Sequence, residues 1–181
     1  MPPTGAAHTQ ATMDNEINVA SIALEHAESF RACLDAVARE RKFLAMVEAP
    51  PLENVRAFVR ECVERGSAQF VALDGERVVG WADILPSFGH AVSHCGRLGM
   101  GVLPGYRGQG IGRRLLLACM DKARANGMTR IELEVRADNE SAIRLYVGAG
   151  FALEARKRNA MRFDGAYHDS LQMSCILEDE S

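Results

Sequence analysis

Three things are scarce in this chain of 181 residues, and each scarcity excludes a class of protein. Paired cysteines come first. The five cysteines (Cys33, Cys62, Cys95, Cys119, Cys175) are odd in number and include no Cys-x-x-Cys pair. They read as reduced thiols of a cytoplasmic protein whose core needs no disulfide or metal staple. Long apolar runs come second: none approaches the roughly 18 residues of a membrane span. The N-terminal stretch also lacks the charged start and apolar run of a signal peptide, so neither membrane insertion nor secretion is expected. Third, positive charge is not in excess, because 21 Lys+Arg stand against 24 Asp+Glu for a net charge of −3. No global basic field recruits nucleic acid, and any anion site must be local. What remains is 48% hydrophobic and 25% charged, the composition of one ordinary globular domain.

Residues 1 to about 13 are small, polar and without periodicity, and read as a disordered leader or cloning remnant ahead of a single domain over residues 14–181. A short strand, Ile17 to Ile22, is followed by apolar positions Phe30, Leu34, Val37, Phe43, Leu44 and Val47 at near-helical spacing, which predict one helix from Glu25 to Val47. Pro50-Pro51 ends it, and a second helix runs from Leu52 to Arg65. The period then shortens to two. Gln69 to Leu73 and Arg77 to Leu85 read as a hairpin about Asp74-Gly75, and Arg97 to Leu103 as a further strand. A helix from Arg113 to Asn126, a strand from Ile131 to Val135 and a helix from Glu140 to Ala149 follow. Two last strands, Phe151 to Ala160 and Tyr167 to Leu177, flank the turn at Asp164-Gly165.

The densest signal is Pro104-Gly105-Tyr106-Arg107-Gly108-Gln109-Gly110-Ile111-Gly112-Arg113-Arg114, with four glycines and three arginines between a strand and a helix. Glycines let backbone N–H groups converge on a ligand without Cβ obstruction, and a helix start adds unpaired donors and partial positive charge. Arginines at that end oppose the helix dipole unless an anion lies between them. The stretch therefore suits phosphate oxygens. It lacks the Lys-Ser or Lys-Thr of a nucleotide triphosphate loop, and its glycine spacing departs from the Gly-x-Gly-x-x-Gly of dinucleotide folds, which weighs against a dinucleotide-dependent oxidoreductase.

Arg107-Gly108-Gln109-Gly110-Ile111-Gly112 resembles the Arg/Gln-x-x-Gly-x-Gly/Ala signature of the GCN5-related N-acetyltransferases (GNAT). Gly101-Val102-x-Pro104, Glu134-Val135-x-x-x-Asn139 and Leu145-Tyr146-x-x-x-Gly150-Phe151 are similar to that family in order and spacing. The likeness covers roughly residues 68–177. It implies a mixed α/β (α+β) fold, a twisted and mostly antiparallel sheet of about seven strands flanked by about four helices. It also implies acetyl-CoA as co-substrate. Met100, Gly101 and Val102 would run beside the pantetheine, with Gly101 permitting close approach. Arg107, Gly108, Gln109, Gly110, Ile111, Gly112 and Arg113 would cradle the pyrophosphate, and Asn139, a natural helix N-cap, would contact the cofactor.

For the chemistry, Glu134 matches the family's base, acting through water, with Glu132 on the same strand face as a second candidate. Tyr146 matches the acid that protonates the departing thiolate. Gly148 departs from the family pattern and would loosen the turn that holds Tyr146. His90, His94 and Cys95 lack a fourth ligand, so no metal is expected, and His94 is a candidate for the acceptor pocket. From Arg130 to Met173 the chain is similar to bacterial enzymes that acetylate free L-amino acids, and less so to ribosomal-protein alanine acetyltransferases. The expected partner is a small-molecule amine, with neither nucleic acid nor membrane involved and a homodimer left open. Arg97 and Arg31 are candidate clamps for an amino acid's carboxylate. A non-catalytic acyl-CoA sensor is the competing reading.

Overall fold

The period-two stretches assemble into one sheet. In the computed structural model, which describes residues 16–177, its strands are β1 (Asn18–Ser21), β2 (Ala68–Asp74), β3 (Arg77–Pro86), β4 (Cys95–Val102), β5 (Arg130–Arg136), β6 (Ala152–Phe163) and β7 (Ala166–Ile176). The leader expected over residues 1 to about 13 lies outside the described residues. Strand order is β1-β2-β3-β4-β5-β7-β6, with every neighbouring pair antiparallel except β4 and β5. Asp164 and Gly165 both take positive φ, 48° and 85°, as the two-residue turn between β6 and β7 requires.

Four α-helices flank the sheet: α1 (Ala27–Ala38), α2 (Leu52–Glu64), α3 (Ile111–Ala125) and α4 (Glu140–Gly148). Side chains alternate across β3, so its neighbours Trp81 and Ala82 mark opposite faces. Phe30 of α1 meets the Trp81 ring edge-on at 5.9 Å between centroids. On the other face, Cys119 of α3 donates to the Ala82 carbonyl, and Leu115 fills the space beside Gly80. The sheet is thus packed on both sides. No described helix is long and apolar enough to cross a membrane.

The long first helix is not observed. A 3₁₀ turn at Leu24–His26 leads into α1, which stops at Ala38, and residues 39–51 form an irregular connection to α2. Local bonding explains the stop. Asp35 accepts from Arg39 Nε and from the Ala49 backbone N–H, pulling the connection back onto α1, and Arg41 adopts φ 53°, incompatible with a continuing helix. Phe43, Leu44 and Val47 therefore continue the apolar count without continuing the helix.

One irregularity of the sheet creates the site. β4 and β5 pair only between Cys95–Arg97 and Arg130–Glu132 and then part. The remainder of β4 and Leu133–Val135 of β5 become the two sides of an open cleft.

Candidate active site

The cleft is a cavity of about 1100 Å³ bounded by the end of β4, the loop into α3, the middle of β5 and the start of α4. Gly108 and Gly110 hold φ values of 74° and 78°, in the left-handed region where a side chain is strained. Gly110 is the N-cap of α3, and neither a side-chain cap nor an acidic residue attends its first turn. The unpaired N–H groups of that turn and the partial positive charge of the helix end therefore remain available to an anion. Gly108, Gly110, Gly112 and Arg113 line the cavity.

Arg107 behaves differently from expectation. Its Nε donates to the Val102 carbonyl at 2.7 Å, its two terminal nitrogens pair with Glu40, and its guanidinium lies over the Phe43 ring at 5.0 Å. The side chain reaches the cavity but is engaged in pinning the α1–α2 connection to the glycine loop, which leaves Arg113 as the loop's freer cation. Gln109 donates to the Gly105 carbonyl and shapes the turn. Ile111 is buried in the core at 2% exposure. Neither Gln109 nor Ile111 lines the cavity.

Met100, Gly101 and Val102 line it as expected, but the glycine at 101 has another cause. A Cβ there would fall on the Trp81 indole, which stands directly across β3 and β4. Packing against the tryptophan is by itself enough to require Gly101. Asn139 caps α4 as expected, its side chain accepting from the Ala142 N–H at 3.3 Å, and it also lines the cavity.

Glu134 projects into the cleft from β5. Burial would raise its pKa. Hydrogen bonds from Lys157 and Ser170, each 2.6 Å long, and the charges of Lys157 and Arg97 outweigh that and lower it. It stays ionised through the neutral range. Glu132 is taken up by Arg130, which also binds Glu154, and is not a cavity residue. Tyr146 is 8% exposed, tilts against Phe151 and lines the cavity. Burial pushes its phenol up to about 12, and its hydroxyl makes no hydrogen bond among the described residues. It therefore keeps its proton through the neutral range. Gly148 is exposed at the last position of α4, where nothing packs against it, so the turn carrying Tyr146 is not loosened from within.

Of the two arginines considered for a carboxylate, Arg97 lines the cavity and Arg31 does not; Arg31 is spent on the Pro50 carbonyl. His94 is exposed and away from the cleft, its carbonyl accepting from the Thr129 and Arg130 N–H groups. It is not an acceptor-pocket residue. Among the described residues no three His, Cys, Asp or Glu side chains gather as metal ligands.

Sequence reasoning missed Asp83. This β3 residue faces the cleft and also a second, apolar cavity of about 400 Å³ between α1, α2 and the sheet. The available signal was a single carboxylate inside the otherwise apolar run Val78-Val79-Gly80-Trp81-Ala82-Asp83-Ile84-Leu85.

Comparison with known proteins agrees with this architecture. The profile of the Acetyltransferase (GNAT) family matches residues 21–151. The chain is 37% identical over 115 residues to N-alpha-acetyltransferase RimI of Mycobacterium tuberculosis, a match covering 61% of this chain and 68% of that one. It is 39% identical over 69 residues to a mycothiol acetyltransferase of Frankia alni, covering 38% of this chain and only 19% of that longer protein. Among solved structures, yncA of Salmonella typhimurium, a putative acetyltransferase with its cofactor acetyl-CoA, superposes with a TM-score of 0.85 at 18% identity, over 92% of this chain and 96% of that one. With the open β4–β5 cleft and the glycine-capped α3 at its rim, these matches show that the chain belongs to the GNAT family of acetyltransferases.

Proposed function

We propose that the protein transfers acetyl from acetyl-CoA to the α-amine of a small molecule, most specifically a free L-amino acid. The observation that carries the reading is the uncapped, acid-free N-terminus of α3, opening beside strands that part instead of pairing. Gly108, Gly110, Gly112 and Arg113 suit the pyrophosphate, and the gap between β4 and β5 suits the pantetheine, whose amides can bond strand edges left without a partner. Tyr146 donates to the thiolate as it leaves. Glu134, held ionised by Lys157 and Ser170, binds a water that carries off the proton shed by the nitrogen as the amide forms. Arg97 meets the carboxylate of the acceptor. Five free, buried cysteines support a reducing, cytoplasmic setting.

A second reading rests on the likeness to RimI and to the bS18-alanine N-acetyltransferase of Escherichia coli, 37% identical over 71 residues: the acceptor is then the N-terminus of a protein. Specificity constants decide between them, measured across free L-amino acids, their methyl esters, spermidine, a kanamycin-type drug and short alanine-initiated peptides. Preference for free acids over esters supports carboxylate recognition. Esters and peptides reacting as well as acids overturn the amino-acid assignment and leave the acetyltransferase reading standing.

A further inference from the structure

Two carboxylates face the cleft in opposite settings. Glu134 has a cation and a hydroxyl on it. Asp83 is half-buried where the two cavities meet and makes no hydrogen bond or ion pair among the described residues, although a carboxylate withdrawn from water ordinarily gains such a partner. Its cross-strand neighbours on the same face are Gln69 in β2 and Gly99 in β4. Gln69 is 1% exposed, and both polar atoms of its carboxamide are without a partner among the described residues. Gly99 leaves the carboxylate uncovered, since a Cβ there would stand 3.2 Å from Asp83 Oδ1.

The surroundings say what such a carboxylate awaits. Asp83, Gly99, Met100 and Leu44 line both cavities, so they mark where the cleft meets the second, apolar one. Beyond them that second cavity is walled by Phe30, Leu34 and Phe58, with Trp81 alongside and Asn54 as its other polar member. A carboxylate beside aromatic and apolar side chains suits an ammonium carrying an apolar group, which gains from charge pairing and from burial of that group. The charged or titratable groups that act on or near Asp83 are few. Cys62 of α2 and Cys119 of α3 are the thiols it influences, both pushed up chiefly by burial, and Arg97 is the cation on the same cleft wall.

We propose that Asp83 is the acceptor-binding carboxylate, receiving the ammonium of an amine with an uncharged, apolar side chain and taking its first proton, while the apolar cavity takes that side chain. This rests on the acetyltransferase reading. The protons balance as follows. R–NH3+ gives one proton to Asp83, and the neutral nitrogen forms the N–C bond as the C–S bond breaks. Tyr146 protonates the thiolate, and the nitrogen's second proton leaves through the water on Glu134 and restores Tyr146. Asp83 returns its proton to solvent, so one proton is released per acetyl transferred. Burial supports the assignment by raising the Asp83 carboxyl to about 7, close to where a general base works best at neutral pH. Glu134, held low, is the weaker proton acceptor of the two.

The test compares wild type with Asp83→Asn, which keeps the shape, using L-leucine and L-phenylalanine as acceptors and the pH dependence of kcat/KM. Wild type is expected to rise through about pH 7 and level off. Asp83→Asn is expected to lose about 100-fold at pH 7, and its rate should climb about tenfold per pH unit toward the amine's own pKa, because only the free amine then reacts. Trifluoroethylamine, neutral at pH 7, should react with both proteins within about threefold if Asp83 serves the ammonium. Phe58→Ala, which opens the apolar wall, should raise KM for L-phenylalanine and leave acetyl-CoA affinity unchanged. Parallel pH profiles for wild type and Asp83→Asn would overturn the proposal, as would an equal loss with trifluoroethylamine. Absence of transfer by wild type to every amine would instead overturn the acetyltransferase reading beneath it.

Discussion

The glycine-loop wall of the cleft and the wall of the second cavity that opens beside it are made of different material. From Val102 to Arg113 the wall is mainly backbone: glycines in left-handed conformation, an uncapped helix end and a turn stitched by Gln109. From Phe30 to Phe58, and across to Trp81 and Asp83, it is side chains brought together by three separate elements and an irregular connection. Backbone recognition suits a ligand that never changes, whereas a side-chain wall can be altered residue by residue without disturbing the fold. Under the proposed function, the invariant co-substrate belongs to the first wall and the variable acceptor to the second.

The largest effect expected from breaking this division is in catalysis, where the walls meet. Tyr146→Phe should lower kcat by about 100-fold while changing acetyl-CoA affinity less than about twofold, since the hydroxyl matters only once thiolate charge develops. Turnover within about twofold of wild type would make Tyr146 a core aromatic only. Glu134→Gln should cost roughly tenfold in kcat, because it leaves Lys157 and Ser170 in place but removes the carboxylate that holds the water. On the backbone wall, acetyl-CoA at about a hundredfold its Kd should stabilise wild type by about 2.7 kcal/mol, and Gly110→Val should abolish the accompanying rise in Tm. A rise of the same size in the variant would remove the loop from the binding site. Between the two cavities, Gly101→Ala should destabilise the fold by about 1–3 kcal/mol in denaturant melts, since the methyl collides with Trp81.

A further effect is a pH dependence of stability. The folded-state pKa of Asp83, about 7, lies above the ordinary value of 3.8, so between these values the folded protein binds more protons than the unfolded one. Stability contributed by the protonated carboxyl is present below about pH 4 and is lost as pH rises toward about pH 7. Asp83→Asn should therefore raise Tm by a few degrees at pH 8 and leave it nearly unchanged at pH 4. The opposite ordering would mean that Asp83 is ionised and stabilised in the folded chain.

The difference between the walls also governed what the sequence disclosed. Gly108, Gly110, Gly112, Asn139, Glu134 and Tyr146 stand in short runs whose spacing is tied to backbone geometry, and the cleft brings them together. The seven strands and the hairpin turns were legible for the same reason, since alternation and Asp-Gly pairs are local signals. The helix expected from Glu25 to Val47 was misjudged because Phe43 and Leu44 keep a helical count while facing the cleft from an irregular segment. Arg107 could not be seen to be held by Glu40, 67 residues away in sequence. Asp83 gave only a break in an apolar strand. Its importance depends on Gln69, Gly99 and Phe58, which no spacing rule connects.

The most direct test of the central claim is a mass-spectrometric assay of the purified chain with acetyl-CoA and an equimolar panel of L-amino acids, following free thiol and acetylated product together. The account predicts amine-dependent thiol release matched mole for mole by N-acetyl product, with apolar amino acids consumed first. Acetyl-CoA binding with thiol release no faster than hydrolysis, and no acetylated amine, would contradict it and leave an acyl-CoA-binding protein without transferase chemistry.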